Sequence, residues 1–453
     1  MLTYELKKSP GVPLYEALYR AIREDILTGQ LAQGEKLPSK RALAENLQIS
    51  KITVEAAYAQ LLTEGYISSK EKVGYFVEAV QPPISCPRAD SSQPIESDPD
   101  VLDLTANGPA HFPFSVWSRL QREVMLDYGE KLLQPLHHQG CEELRRAISE
   151  HLADFRGMAV GKDCIIIGAG TDFLYNLLIQ LLGRDKIYAL EEPGYDKIRE
   201  IYTAAGVQTL CAPMDGQGVL PAGLQDARIL HISPSHHFPT GIVTPLRRRQ
   251  ELLCWAENAD GWIIEDDYDS EFRFDAHPLP SMQALRGGDR VIYMNTFSKS
   301  LAPSIRMGFM VLPPKLMETF RRSLGFYSCT VSSFEQYTLA RFLSRGYFEK
   351  HINRMRKFYR SRRNRVADAL EQCPCAEKLT ILEQDAGLHF LLRVDTPLSD
   401  LELEDRFAAA GIRVRALSGY YRTQVPPSAR RCLVVNYSGL DESKLERLKH
   451  LEL

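Results

Sequence analysis

No run of about 18 apolar residues occurs anywhere in the 453-residue chain, so no segment reads as a membrane span. The first ten residues, MLTYELKKSP, lack the apolar stretch of a secretory signal. Nine cysteines are scattered without a CxxC pair. Cys373 and Cys375 flank Pro374, but no cluster of His or Cys nearby completes a metal site. These absences exclude a disulfide framework and a zinc module, and they fit reduced thiols in the cytoplasm. Charge of one sign is also missing. The formal net charge is −3, and residues 1–78 hold ten Lys/Arg against ten Asp/Glu. Bulk charge therefore does not point to nucleic acid, and any such reading must rest on pattern and local charge. What remains is ordinary globular composition, 44% hydrophobic and 25% charged. At ~150 residues per domain the length suggests about three domains. There is no internal repeat.

Three textures follow one another. Residues 1–78 read as short helices and a hairpin. Residues 79–100, rich in Pro, Ser and Asp, read as a linker. Residues 101–453 alternate short apolar runs with amphipathic helical stretches. CIIIG, KIYAL, ARILHIS, GWIIED and RVIYMNT are such runs, and they predict a mostly parallel sheet covered by helices, an α/β fold. From about 345 to 453, long helical patterning gives way to LTILEQ, GLHFLLRV, IRVRAL and RCLVVNYS. That part reads as a smaller α+β subdomain.

Near the N-terminus, Leu14, Leu18, Ile22 and Ile26 recur at helical spacing, with Gly29 as a stop. Ser39 can cap a short helix bearing Leu43 and Leu47. Ser50 can cap the next, with Val54, Ala57, Tyr58, Leu61 and Leu62 on one face and Gly65 at its end. Lys51, Thr53 and Glu55 then fall at the outer, N-terminal end, which a helix-turn-helix presents to the major groove. YISSKEKVGYFV alternates around Gly74 as a β-hairpin wing. A protein-interaction domain with a solvated basic face has the same periodicity. The string GEKLPSKRALAENLQIS resembles the GntR type of winged helix-turn-helix. By that resemblance Lys40, Arg41, Ser50, Lys51, Thr53 and the wing tip near Gly74 contact double-stranded DNA. Glu55 departs from the basic residue common there.

The larger part carries a second constellation. Lys299 lies in NTFSKSLAPSIRMGF, just after an expected strand, where open α/β sheets place their ligands. Arg306 follows, with a planar fork suited to a phosphate dianion. GWIIEDDYDSEF brings Asp266 and Tyr268 to another strand end. In IIIGAGTDFLYNLL the backbone of Gly170 and Thr171 can point N–H groups at an anion. EEPGYDK sets Tyr195 on a turn, placed to stack on a ring. Singly, each has a bland explanation: a loop lysine, solvated strand-end acids, a common glycine turn, a surface tyrosine. Jointly they meet the needs of a pyridoxal 5′-phosphate site: an amine, an acid for the pyridine nitrogen, a hydroxyl for the phenolate, a phosphate cradle and an aromatic lid.

The order GAGT, EEPGY, SPSHHFPTG, EDDY, FSKSLAPSIRMG resembles fold-type I aminotransferases of class I over roughly residues 101–453. The resemblance implies a Schiff base on Lys299, Asp266 on the pyridine nitrogen and Tyr268 on the phenolate. It also implies Tyr195 on the ring, with Ala169, Gly170, Thr171, Thr296, Ser298 and Arg306 around the phosphate. A GntR-type module ahead of such a domain resembles the MocR family of transcriptional regulators. That family implies a head-to-tail homodimer and a small-molecule amino effector, or pyridoxal phosphate itself, sensed through the Lys299 imine. An active aminotransferase with a fused DNA-binding module is the alternative, and a scaffold that holds the cofactor only for stability is a third reading. Three departures bear on the choice. Phe238 stands where aminotransferases carry a cofactor-bonding Asn. Leu433 falls near the position of the arginine that grips a substrate carboxylate. Lys197 takes a position where some family regulators use Arg. Lys197, Arg430 and Arg431 are therefore the candidates for an effector's acid group.

Overall fold

A computed structural model describes residue 4 and residues 13–80, 100–108, 111–274, 279–383 and 387–453. Residues 81–99 of the expected linker lie outside the described residues. The chain divides into two units, residues 1–96 and 97–453.

In the first unit, helices Leu14–Leu27, Lys40–Leu47 and Lys51–Thr63 pack around one small core. Leu18, Ile22, Leu43, Val54, Ala57, Tyr58 and Leu61 are fully buried there. Each large side chain removed from water contributes roughly 1.5–3 kcal/mol. Local chemistry sets the helix ends. The Ser39 hydroxyl accepts the Ala42 N–H at 3.2 Å, and Ser50 accepts that of Thr53 at 3.2 Å. Gly29 and Gly65 take φ of 76° and 78°, which ends the first and third helices. Leu14, Leu47 and Leu62 are only half-buried, at the core's rim. Ile67–Lys70 pairs antiparallel with Gly74–Val77, giving the hairpin.

The second unit is organised by an eight-stranded sheet. Its spatial order is Ile165–Gly168, Gly308–Val311, Val291–Thr296, Trp262–Asp266, Ile229–Ile232, Ile187–Glu192, Gln208–Asp215, Gly218–Val219. The five strands from Val291–Thr296 to Gln208–Asp215 run parallel. Gly308–Val311 runs antiparallel to both its neighbours, and Gly218–Val219 closes the far edge antiparallel. VIYMNT is buried at all six positions, as a central strand covered on both faces must be. Parallel register pairs Met294 with Asp266, so Asp266 and Thr296 reach the same carboxyl edge. Helix Thr171–Leu182 leaves Ile165–Gly168 through Gly170, whose φ is 84°.

Helix Tyr347–Glu371 leads into a four-stranded antiparallel sheet. Its order is Leu379–Leu382, His389–Val394, Cys432–Asn436, Arg415–Ala416. Ser399 and Glu402 form a reciprocal capping box at the start of helix Asp400–Ala409. Leu102–Asp103 pairs with Ile412–Arg413, so the beginning of the unit joins this subdomain. No helix among the described residues is long and apolar enough to cross a membrane.

Candidate cofactor and DNA sites

A cavity of about 300 Å³ opens at the carboxyl edge of the parallel strands. Thr171, Tyr195, Lys197, Asp266, Tyr268, Thr296, Ser298, Lys299 and Arg306 all line it. Residues spread over more than a hundred positions thus meet in one place.

Asp266 forms the floor and is 4% exposed. One carboxylate oxygen, Oδ2, accepts a bond from the Tyr175 hydroxyl and lies 3.4 Å from His231 Nε2. His231 Nδ1 in turn meets the Tyr202 hydroxyl at 2.8 Å. The other oxygen, Oδ1, is buried with no partner. Leaving such an oxygen unbonded costs about 1–3 kcal/mol unless a ligand donor meets it. A protonated pyridine nitrogen is a donor of the required kind.

Lys299 projects from the one-turn helix Phe297–Ser300, capped by Thr296, whose hydroxyl accepts the Ser298 N–H at 3.2 Å. The Lys299 side chain faces the cavity, yet surrounding protein removes most of its water. That desolvation lowers its pKa, and nearby Asp269 only partly opposes it. More of the amine is thereby held neutral, the form that attacks an aldehyde. Its Nζ donates to Asn107 Oδ1 at 2.5 Å, and Asn436 Nδ2 donates to the same oxygen at 3.1 Å.

Arg306 adopts a left-handed φ of 44° after Pro303–Ile305. This turn aims its guanidinium at the start of helix Thr171–Leu182, where no side chain caps the first N–H groups. The φ of 84° at Gly170 favours glycine, and a Cβ there would lie 2.7 Å from Arg306 Nη2 and push the guanidinium aside. Free helix N–H groups and a guanidinium converging on one point make an anion cradle. Ala169 is off the cavity wall, and its N–H donates to Thr330 Oγ1 at 3.1 Å.

The Tyr268 hydroxyl lies 3.4 Å from His236 Nδ1, which meets Asp269 Oδ2 at 2.8 Å. Burial pushes the Tyr268 phenol well up, so it stays a donor. Tyr195 is 50% exposed at the rim, edge-on to Phe238 at 5.7 Å. Phe238 packs on His389 at 5.1 Å and Tyr420 at 5.4 Å, an aromatic roof with no hydrogen-bond donor at residue 238. Leu433 is fully buried in the apolar core and away from the cavity.

Arg430 and Arg431 are not on the wall. Arg430 is exposed, while Arg431 turns through φ of 56° and donates to the Thr396 carbonyl at 2.7 Å. As candidates for an effector's carboxylate they are thus misplaced: the turn before Cys432–Asn436 points them outward. Lys197 does line the cavity, but its ammonium is 2.8 Å from Asp172 Oδ2. Sequence reading missed Tyr175, His231, Asn107, Asn436, Asp172 and His389, all on the wall. Asn436 left a signal, a lone amide in the apolar run CLVVN.

In the first unit, Arg41 is largely exposed and pairs with Glu45 at 3.0 Å. Lys40 lies 3.4 Å from Glu55 and over the Tyr75 ring at 5.5 Å, tying helix to wing. Lys51 lies 3.9 Å from the same Glu55 oxygen. Glu55 is thus bracketed by two lysines. Ser50 bonds Thr53 twice, through its N–H and its hydroxyl (2.8 Å). Gly74 has φ of 137°, and Lys36 Cε would be 3.0 Å from any Cβ there.

Residues 14–77 match the gntR family of bacterial regulatory proteins, and residues 99–450 match the aminotransferase class I and II family. The chain is 37% identical over its whole length to the uncharacterized HTH-type transcriptional regulator YdeL of Bacillus subtilis, covering 98% of that protein. It is 33% identical to the probable rhizopine catabolism regulatory protein MocR of Rhizobium meliloti, over 96% of this chain and 92% of that one. Among solved structures, a Pyrococcus horikoshii kynurenine aminotransferase superposes with a TM-score of 0.66 at 26% identity, over 77% of this chain and 89% of that one. A GntR-type unit followed by an aminotransferase class I and II unit, with full-length likeness to such regulators, places this chain in the MocR family.

Proposed function

We propose that this chain is a DNA-binding transcriptional regulator that holds pyridoxal 5′-phosphate on Lys299 and uses it to sense a ligand. The observation that carries the reading is the buried, unpartnered Asp266 Oδ1 in the same cavity as the Lys299 amine. When bound, the cofactor supplies an aldehyde carbon and an electron-withdrawing ring. The chain's own residues do the rest. Asp266, steadied by Tyr175 and His231, keeps a proton on the ring nitrogen. Tyr268 bonds the phenolate oxygen, and Tyr195 covers the ring from the rim. Arg306, Thr171, Ser298 and Thr296 would surround the phosphate, at the helix start that follows Gly170. Burial keeps the Lys299 amine reactive.

The same cavity favours sensing over turnover. Phe238 supplies no donor, and the arginine expected near Leu433 is replaced by a core leucine. Losing one charge-assisted contact to a substrate carboxylate costs about 1.5–3 kcal/mol, tenfold or more in affinity. An amine ligand, or the cofactor itself, acts as the signal by binding two conformations of a homodimer unequally. In the first unit Arg41, Lys40, Lys51, Thr53, Ser50 and the wing tip at Gly74 face the DNA. The test is a gel shift with promoter DNA from the protein's own locus. Arg41→Ala with Lys51→Ala should abolish the shift. Binding that tolerated both changes would overturn the assignment. Multiple turnovers with an amine and a keto acid would overturn the preference for sensing.

A further inference from the structure

The phosphate cradle contains a carboxylate that neither the fold nor the motifs call for. Asp172, in the first turn of helix Thr171–Leu182, lines the cavity. Its Oδ2 lies 3.1 Å from Arg306 Nη2 and 2.8 Å from Lys197 Nζ. One oxygen thus holds two cations at the place where the free helix N–H groups converge. We propose that Asp172 is a built-in competitor for the cofactor's phosphate, and that Lys197 belongs to the phosphate cradle as its second cation. The proposal rests on the cofactor reading above and assigns Lys197 to the phosphate end.

Charge supports the assignment. A phosphate monoester carries about −1.5 to −2 at pH 7. With Arg306, Lys197 and Asp172 all present, a phosphate leaves the seat with excess negative charge. Without Asp172, two cations match one dianion. Asp172 must therefore surrender Arg306, and Lys197 offsets the repulsion that remains. The three groups are partly exposed, with side-chain accessibilities of 51%, 47% and 36% for Arg306, Lys197 and Asp172, so each effect is screened and modest. A competitor inside the site keeps cofactor binding weak enough to follow cofactor supply, which suits a sensor.

The experiment is an absorbance titration of the full chain with pyridoxal 5′-phosphate and, separately, with pyridoxal, which has the aldehyde but no phosphate. Asp172→Asn should tighten pyridoxal phosphate about three- to fivefold, and Lys197→Met should weaken it by a similar factor. Both should leave pyridoxal within about twofold, and the double variant should return near the wild type. Inorganic phosphate should compete more strongly in Asp172→Asn, and high salt should shrink every difference. Asp172→Ser serves the same purpose if Asn disturbs the helix start. Equal affinities for pyridoxal phosphate in wild type and both Asp172 variants would overturn the proposal. So would equal effects on the two aldehydes, which would mean a general disturbance of the cavity. A wild-type chain that takes up neither aldehyde would overturn the cofactor reading itself, and this inference with it.

Discussion

Replacing Asp266 with Asn should move stability and cofactor affinity in opposite directions. In the wild type one carboxylate oxygen is bonded by Tyr175 and the other is buried without a partner. A neutral amide can keep the Tyr175 bond through its carbonyl. It also removes a buried charge that the protein's own donors meet on one side only. The amide nitrogen that replaces Oδ1 is itself left without a partner, so the relief comes from the lost charge alone and stays below about 3 kcal/mol. Affinity should fall because the amide cannot hold a proton on a pyridine nitrogen. Loss of a hydrogen bond to a charged group costs about 1.5–3 kcal/mol, roughly 10- to 150-fold in Kd. Denaturant unfolding of the full chain without cofactor reads the first quantity, and an absorbance titration with pyridoxal phosphate reads the second. An Asp266→Asn chain that bound the cofactor within twofold of wild type would refute the pairing. Lower stability without cofactor would refute the reading of Asp266 as a buried charge met on one side only.

Other expectations follow from the same geometry. Glu271 is buried beside Asp267, and burial first, then that charge, raises its pKa to about 7. The folded state keeps this proton where the unfolded chain has lost it, so stability should fall as pH rises from about 4.5 to 7 and level off above. Glu271→Gln should remove up to about 3 kcal/mol of that slope in urea melts across pH, and an unchanged slope would count against it. Arg41→Ala and Lys51→Ala should each flatten the salt dependence of DNA binding by about 0.9 in log–log slope if each loses one phosphate contact. Ser39→Ala should destabilise the first unit by about 1 kcal/mol through loss of its cap, read by differential melting of that unit.

Local signals were the readable ones. Serine caps at 39 and 50, the glycines after two helices and the apolar strand runs each act within a few residues, and all appear as expected. The place of Lys299 and Asp266 on the cavity wall was legible because strand ends define the ligand edge of such a sheet. Partners that act across the fold were not legible. Tyr175 and His231 come from a helix and a strand far from Asp266 in sequence. Asn107 reaches Lys299 only because Leu102–Asp103 joins the small subdomain. The pairing of Lys197 with Asp172 depends on how two helix starts approach, which spacing does not encode. Arg430 and Arg431 were chosen for their nearness to Leu433 in sequence, and the turn before Cys432–Asn436, with φ of 56° at residue 431, leaves them off the cavity wall.

On the proposed function, the Lys299 amine links a small molecule to DNA. The direct measurement is DNA affinity of the full chain, by gel shift or anisotropy on its own promoter. It is made with and without pyridoxal phosphate and with a panel of amines, for wild type and Lys299→Ala. Wild type should show a ligand-dependent change in affinity or footprint that Lys299→Ala loses while still binding DNA. An identical ligand response in both proteins would contradict it, as would none in a wild-type chain whose absorbance shows Lys299 fully occupied.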